Sequence, residues 1–174
     1  RRRPPGAAGA AAAGWIVVGL AVAGVTVQVI WLARNADLVR PLEAGAPAPA
    51  IALPRVGRGG ALGEHVAITP GRVTVIDFWA TWCQPCLHGL PALDRVARAH
   101  PDVDVVAINL DDPVAARELF DRAHYAMQLV EDDGAASERY GVTTIPRTIV
   151  IDKRGVIAAD RPRDLEAAVA TANK

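Results

Sequence analysis

The uncharged stretch after the three N-terminal arginines is the feature that most restricts how this chain can fold. Its core, Trp15 to Ala33 (WIVVGLAVAGVTVQVIWLA), is almost entirely apolar, and a membrane-spanning helix needs about 20 such residues. Trp15 and Trp31 stand near its two ends, about 24 Å apart at the helical rise. That distance suits aromatic anchors at the two membrane surfaces. We therefore expect a basic start and one transmembrane helix within residues 1–34.

The arginine cluster before this stretch predicts its orientation. Basic flanks favour the cytoplasmic side of a membrane, so the chain after Arg34 would face the periplasm or the cell exterior. One additional span upstream of Arg1 would reverse this orientation. Two other interpretations stay open. The segment Ala21 to Ala23 resembles a signal-peptide cleavage site, although the apolar run continues to Leu32, and the stretch is also compatible with a buried helix of a soluble domain.

Overall composition excludes several function classes. The 174 residues suggest one domain plus an appendage. Lys and Arg number 19, as do Asp and Glu, so the charge balance gives no support for a nucleic-acid partner. The sequence contains no glycine-rich phosphate loop, HExxH motif or GxSxG motif.

The remainder of the chain predicts an α/β domain. Residues 35–48 combine Pro, Ala and single charges and indicate an extended tether, so the domain is expected over 49–174. The apolar patterns predict strands near Ile51 and over 72–79, 103–110 and 147–152, a closing hairpin, helices from Cys83 to about His100, after Pro113 and over 162–171, and a Gly-rich turn over 55–63. Alternating strands and helices favour a sheet with helices on both faces, parallel at first and antiparallel at one edge.

Both cysteines lie in WATWCQPCLHGLP, as Cys83 and Cys86. A predicted strand ends at Trp79 and a helix begins near Cys83, where unpaired N–H groups and the helix dipole stabilise an anion. This position lowers the pKa of the Cys83 thiol and favours the nucleophilic thiolate. Cys86, one turn later, is placed to resolve a mixed disulfide. Pro85 lacks an N–H and fits the first helical turn.

Two non-catalytic interpretations of the cysteine pair are weaker. A zinc site usually needs four ligands, and the histidines His65, His88, His100 and His124 are scattered through the sequence. A purely structural disulfide would close a very short loop, so its entropic stabilisation would be small. Redox exchange is therefore the favoured interpretation, with no metal.

Two segments carry a resemblance to a known family. VIDFWATWCQPCLHGLP resembles the active-site segment of the thioredoxin superfamily, with Pro91 five residues after Cys86, and YGVTTIPRTIVIDKRGVI resembles its cis-proline region. With the tether and the apolar stretch, the chain resembles the membrane-anchored TlpA/ResA-like thiol–disulfide oxidoreductases over about residues 45–172. The resemblance implies a thioredoxin-like fold, a central mixed β-sheet flanked by helices, after one N-terminal transmembrane helix.

The resemblance also implies roles for individual residues. Cys83 becomes the nucleophile and Cys86 the resolving thiol. Pro146 matches the cis-proline, which leaves the backbone of Ile145 free to pair with the substrate chain. Exposed residues beside the cysteines complete the expected substrate-binding surface: Trp82, Gln84 and Pro85. In contrast, Trp79 is expected to pack in the interior and His88 to face solvent.

Asp77 matches the buried acid beneath the cysteines of thioredoxins. A carboxyl group in an apolar strand should have a raised pKa and could move the proton of Cys86; a purely structural aspartate is the alternative. Many thioredoxins place a lysine near this acid, but the matching position here is Ala107. Gln84 cannot titrate, unlike the Glu of some relatives. Arg147 follows the cis-proline as either a cation near the groove or a solvated charge.

The expected activity is that of a membrane-tethered protein disulfide reductase. By resemblance, its electron donor would be a membrane thiol carrier and its client apocytochrome c or another extracytoplasmic protein. No cofactor is expected beyond the Cys83–Cys86 disulfide. The alternatives are an oxidant or isomerase of the same fold, a non-enzymatic thiol-dependent binding module, and a metallochaperone.

Overall fold

The computed structural model describes residues 7–34, 42–68 and 70–174. Two compact units cover residues 1–40 and 41–174. The first seven residues of the predicted tether, 35–41, lie outside the described residues, so the proposed domain limits stay a prediction. Further along, Gly45 N–H donates to the Ile157 carbonyl at 2.8 Å and Ala48 N–H to the Gly155 carbonyl at 2.9 Å.

The first unit contains one long helix, α1 (Ala7–Arg34). Its segment Gly14–Ala33 has 20 residues and a mean hydropathy of 2.3, and none of it is buried. Twenty helical residues extend about 30 Å, the thickness of the hydrocarbon core. The Thr26 hydroxyl donates to the Val22 carbonyl at 2.8 Å, so this polar group is satisfied within the helix. By length and composition α1 can cross a membrane. A signal sequence near an N-terminus has the same length and composition, so this observation does not separate the two.

The second unit is built from seven strands and four helices in its described residues. The strands are β1 (Ala52–Val56), β2 (Leu62–Ala67), β3 (Val73–Trp79), β4 (Val103–Asn109), β5 (Gln128–Glu131), β6 (Arg147–Ile151) and β7 (Ile157–Asp160). The helices are α2 (Gln84–Ala99), α3 (Pro113–Ala123), α4 (Ala135–Arg139) and α5 (Leu165–Ala172), with a short 3₁₀ turn at Arg58–Gly60.

The strands form one mixed sheet in the order β2-β1-β5-β4-β3-β6-β7. β3, β4 and β5 are parallel, while β6, β7, β1 and β2 pair antiparallel to their neighbours. Buried side chains from α2, α3 and α5 join one apolar cluster, and those from α4 join a second. The predicted α/β class and parallel centre are confirmed, but both edges of the sheet are antiparallel, because β1 and β2 form a hairpin that the sequence did not predict.

Two strands were not predicted from the sequence. β2 is an edge strand in which five of six residues are exposed, so no apolar alternation marks it, and its start lies in the region predicted as a turn. β5 has only four residues, too few for a reliable period. It is defined by its parallel pairing with residues 106–109 of β4.

β3 positions the functional residues because all seven of its side chains are buried. Successive side chains of a strand point to opposite faces. Val75 and Trp79 belong to the cluster that contains α2, whereas Ile76 and Phe78 belong to the other. Asp77 shares the alternation of Val75 and Trp79, so it points towards the face covered by α2, the helix that carries Cys86.

Candidate active site

Cys83 is the N-cap of α2, as the sequence predicts. Its backbone is extended (φ −82°, ψ 95°), and its N–H donates to the Ala80 carbonyl at 3.1 Å. The Cys83 sulfur accepts a hydrogen bond from the Cys86 N–H at 3.3 Å. Pro85 lies in the first turn, where its missing N–H leaves no helical bond unmade. The helix start therefore presents an N–H donor to the Cys83 sulfur, which favours an anion at that atom.

Cys83 and Cys86 form a disulfide with a Cα–Cα distance of 5.2 Å. Both cysteines are buried, with 4% and 1% of their surface exposed. The pair is in its oxidised form, and the disulfide ring spans the first turn of α2. Access to Cys83 is therefore through the surface formed by the residues around it.

Asp77 is a buried acid beside this pair. Only 2% of its surface is exposed, and it accepts a hydrogen bond from the Thr148 hydroxyl at 2.6 Å. Burial raises the pKa of Asp77 to about 6, against the smaller lowering effect of the Thr148 hydrogen bond. This confirms the expected direction of the shift. Its cross-strand neighbours are Ala107 and Thr148, so the position that holds a lysine in many thioredoxins holds an alanine here.

A cleft of about 270 Å³ joins the acid to the resolving cysteine. Asp77, Cys86, Pro146, Thr148 and Arg163 are among the residues that line it. Asp77 and Cys86 therefore border one space that is large enough for water. A space of this kind can hold the water that relays a proton between two side chains.

The Ile145–Pro146 peptide bond is cis, as the resemblance implied. Pro146 is exposed and borders the cleft. Within the part of the chain that the structure describes, the Ile145 backbone makes no hydrogen bond. Its N–H and carbonyl are thus available to an added strand.

The remaining predicted substrate-binding residues lie at the surface. Trp82 is 70% exposed, and Gln84 and Pro85 are exposed at the start of α2. By contrast, Trp79 is fully buried and stacks on Phe120, with ring centroids 5.6 Å apart. His88 faces solvent. The expectations for exposure and packing are confirmed, whereas the roles in binding stay predictions.

Arg147 corrects an expectation from the sequence, because it is not a solvated charge. It is 7% exposed, and its guanidinium pairs with Asp160 at 2.9 Å. It also donates to the carbonyls of Tyr140 and Gly141 at 2.6 and 2.8 Å. These contacts occupy the guanidinium in joining β6, β7 and the end of α4, so Arg147 is a structural residue in place of a free cation at the groove.

A polar network beside the active site was missed from the sequence. Asp111 follows β4 and binds the Thr81 N–H, at 3.0 and 3.2 Å from its two oxygens, and the Thr81 hydroxyl. Asn109, fully buried, donates to Asp111 at 2.7 Å. The available signal was topological, since the carboxyl ends of parallel strands meet at one edge of the sheet.

The described residues contain no group of three or more His, Cys, Asp and Glu side chains arranged to hold a metal ion. His65, His88, His100 and His124 lie on different elements or loops. His100 instead pairs with Glu166 at 3.0 Å.

Comparison with known sequences places the chain in a family. Residues 43–173 match the Redoxin family. The chain is 31% identical to the thiol:disulfide interchange protein DsbE of Tatumella citrea over 144 residues, which cover 78% of this chain and 77% of that one. It is 28% identical to the thiol-disulfide oxidoreductase ResA of Halalkalibacterium halodurans over 91 residues, 50% of this chain and 52% of ResA. The chain thus spans only about half the length of some curated relatives.

Comparison with solved structures gives the same result for the fold. The crystal structure of a protein described as a thiol:disulfide interchange protein DsbE from Chlorobium tepidum superposes with a TM-score of 0.66 and 28% identity. The superposition covers 75% of this chain and 98% of that structure. With its N-capping cysteine, its disulfide and its thioredoxin-like sheet, the chain belongs to the Redoxin family and is a ResA- and DsbE-like thiol–disulfide oxidoreductase.

Proposed function

We propose that this chain is a membrane-anchored protein disulfide reductase whose thioredoxin-like domain, residues 49–174, works on the periplasmic or outer side of the membrane. The observation that carries the proposal is the Cys83–Cys86 disulfide at the start of α2, beside the buried acid Asp77. The apolar segment Gly14–Ala33 supports the anchor. The three arginines that precede it favour a cytoplasmic N-terminus.

The reaction begins from the reduced pair. The Cys83 thiolate attacks one sulfur of a client disulfide, and the other client sulfur leaves as a thiolate that takes up a proton. The Cys86 thiolate then attacks Cys83, which closes the Cys83–Cys86 disulfide and releases the second client thiol. Two electrons pass from the enzyme to the client, and the two client thiolates take up protons equal in number to those that Cys83 and Cys86 release on ionisation. A dithiol donor at the membrane restores the reduced pair by the same exchange in reverse.

Asp77 is the proposed proton acceptor for Cys86. It borders the same cleft as Cys86, and its pKa of about 6 leaves most of the carboxyl group ionised at neutral pH and able to accept a proton. Gln84, between the cysteines, cannot replace it. The exchange needs no haem, flavin or metal, because the disulfide itself carries the electrons.

Client recognition is proposed to combine backbone pairing with apolar contact. The Ile145 backbone would add the client chain as a strand, while the exposed Trp82, Gln84 and Pro85 would contact the residues around its disulfide. By analogy with ResA- and DsbE-like relatives, apocytochrome c is the proposed client. A membrane thiol carrier is the proposed donor, because an oxidising compartment does not itself supply electrons.

Insulin reduction tests the activity directly. The reduced wild-type protein should accelerate insulin precipitation, and Cys83→Ser should abolish the effect. Unchanged activity in Cys83→Ser would remove Cys83 from the mechanism, whereas a wild-type protein that does not reduce insulin would favour a binding role for the domain.

The reduction potential tests the direction of electron flow. Equilibration with glutathione buffers should give a value close to that of thioredoxin, about −270 mV. A value near −120 mV, typical of a strong oxidant, would overturn the reductase assignment in favour of an oxidant.

Covalent trapping tests the client. In Cys86→Ser the mixed disulfide cannot be resolved, so the client should stay bound through Cys83 and be identified after non-reducing electrophoresis. The double variant Cys83→Ser/Cys86→Ser is the matched control and should trap nothing. If the two variants give the same result, the client model fails.

A further inference from the structure

Asp111 anchors the turn that precedes the reactive cysteine. Thr81 lies two residues before Cys83, and both its N–H and its hydroxyl donate to the Asp111 carboxylate. Asn109 donates to the same carboxylate at 2.7 Å and accepts from the Asp111 N–H at 3.3 Å. The side chain of Asn109 is fully buried. A rigid strand end is thereby bonded to the active-site turn.

These contacts keep Asp111 ionised. Burial raises the pKa of Asp111, but the hydrogen bonds from Thr81 and Asn109 outweigh it, so the net pKa lies below the usual value. The Asp111 charge also raises the pKa of a carboxyl group at the end of the neighbouring strand β5. The pKa of Glu131 is raised to about 7, through burial first and the Asp111 charge second. A fixed negative charge therefore lies beside the turn that precedes Cys83.

Further charged groups lie near the ends of β4 and β5 and around the cleft. Asp112 caps α3, Glu131 is the last residue of β5 and Asp132 follows it, so these three groups on the β4 and β5 side are acidic. On the opposite side, Asp77 and Arg163 line the cleft beside Cys86. The side chain of Asp112 instead accepts from the N–H groups of α3, Val114 at 2.9 Å and Ala115 at 3.2 Å.

We infer that Asp111 is a positioning residue for thiol–disulfide exchange, which holds the Ala80–Trp82 turn in place and opposes formation of the Cys83 thiolate. The helix start favours the thiolate, and the Asp111 charge acts against it. When the thiolate is less stable, the reduced cysteine pair is less stable too, and it donates its electrons more readily. Asp111 thus makes the cysteine pair a stronger reductant, which deepens the proposed function. The assignment of Cys83 as the attacking thiol rests on that proposed function.

The test measures how readily Cys83 ionises. Iodoacetamide alkylation is followed against pH in the full-length chain carrying Cys86→Ser, so that only Cys83 reacts. Adding Asp111→Asn removes the charge but keeps an acceptor oxygen. We expect its alkylation midpoint to move to lower pH and its rate at pH 7 to rise by about three- to tenfold, the range for one unit charge at a partly exposed site.

Two variants separate charge from structure. Asp112→Asn removes the same charge from the adjacent residue and keeps helix capping, so its rate should change less than about twofold. Thr81→Val removes the hydroxyl contact but keeps the Asp111 charge, so its midpoint should not move to lower pH. Asp111→Glu, which retains the charge, should restore a wild-type midpoint even if the turn is displaced.

The proposal fails if the midpoint in Asp111→Asn is unchanged or higher. An equal downward shift in Asp112→Asn would show an effect of total charge, and a downward shift in Thr81→Val would show a purely structural effect; either result overturns the inference. Because alkylation uses no client, these outcomes are independent of the reductase assignment, which the reduction potential of the unsubstituted protein tests separately.

Discussion

At the scale of single residues, burial and hydrogen bonding together set the pKa values of the carboxyl groups. Asp77 lies on a strand whose seven residues are all buried, with a threonine hydroxyl as its hydrogen-bond partner. Asp111, by contrast, is held by several donors and is stabilised as an anion. Two aspartates near the same disulfide thus have pKa values displaced in opposite directions, which is the arrangement expected when one group exchanges protons and the other does not.

Replacement of Asp77 by Asn should stabilise the protein and slow exchange. The folded-state pKa of about 6 exceeds the ordinary 3.8, so the native state binds this proton more tightly. The stabilisation by that proton is complete below pH 3.8 and is lost as the pH rises through 6. Above pH 7, Asp77→Asn should therefore gain about 3 kcal/mol, and the gain should shrink towards pH 4.

Urea denaturation of the oxidised protein at pH 4 and pH 8 measures this gain, and insulin reduction at pH 7 should be slower in the same variant. Equal stability of both proteins at pH 8 would show that Asp77 is not destabilised by its burial. An undiminished rate would assign the proton of Cys86 to another acceptor.

Ionisation of Glu131 should lower the free energy of unfolding as the pH rises from 4.5 to about 7. Its pKa is raised from 4.5 to about 7, and one of its oxygens is enclosed without a hydrogen-bond partner among the described residues. The native state again holds the proton more tightly, so stability falls as the pH rises from 4.5 through 7. Glu131→Gln should gain about 1 kcal/mol at pH 8, after allowance for solvent screening.

The measurement is the same pair of denaturation curves, with Glu118→Gln as the matched exposed control on α3. The gain in Glu131→Gln should disappear at pH 4. A pH-independent gain, or the same gain in Glu118→Gln, would contradict the assignment to the Glu131 carboxyl group.

At the scale of elements, long-range polar contacts fasten the ends of strands to the loops around the disulfide. Asp111 joins the end of β4 to the turn before α2. Arg147, at the start of β6, joins the end of β7 to the residues after α4. The cis-proline precedes Arg147 directly, so the same fastening supports the loop proposed to bind the client.

Arg147→Met should therefore be strongly destabilising. Its loss leaves Asp160 without its cation and two carbonyls without a donor, and breaking a buried ion pair costs about 3–5 kcal/mol. The matched control is Arg154→Met, since Arg154 pairs with Asp152 at 2.7 Å but is 80% exposed. That change should cost less than about 1 kcal/mol. Equal losses in the two denaturation midpoints would contradict a structural role for Arg147.

At the scale of the whole molecule, the chain combines two units of different chemistry. One holds an apolar helix with a 20-residue segment able to cross a membrane, and the other holds the redox disulfide in a mixed sheet. If the helix is retained as an anchor, exchange is confined to clients and donors that reach the membrane surface.

Fractionation of cells that express the full chain tests the anchor. The protein should sediment with membranes and resist alkaline carbonate, whereas Val25→Arg should release it, because a central arginine costs about 2.5–3.5 kcal/mol of insertion free energy. A soluble wild-type product that begins soon after Ala23 would identify the segment as a cleaved signal peptide.

The sequence by itself determined the features that depend on local chemistry. Three features follow from neighbouring residues and were therefore predictable: the apolar stretch, the helix start at Cys83 and the burial of β3. The resemblance carried by WCQPC and the Ile145–Pro146 dipeptide added the cis bond and the position of Asp77 opposite Ala107, and both are confirmed.

Only the tertiary structure decided what depends on residues far apart in the chain. Asp111 lies 30 residues from Thr81, and Thr148 lies 71 residues from Asp77. The environment of Arg147 was decided in the same way, since its partner Asp160 stands on another strand. From the sequence alone, a charged side chain is predicted to face solvent unless its ion-pair partner is known. Strand register supplies that partner, because it brings distant residues within hydrogen-bond distance.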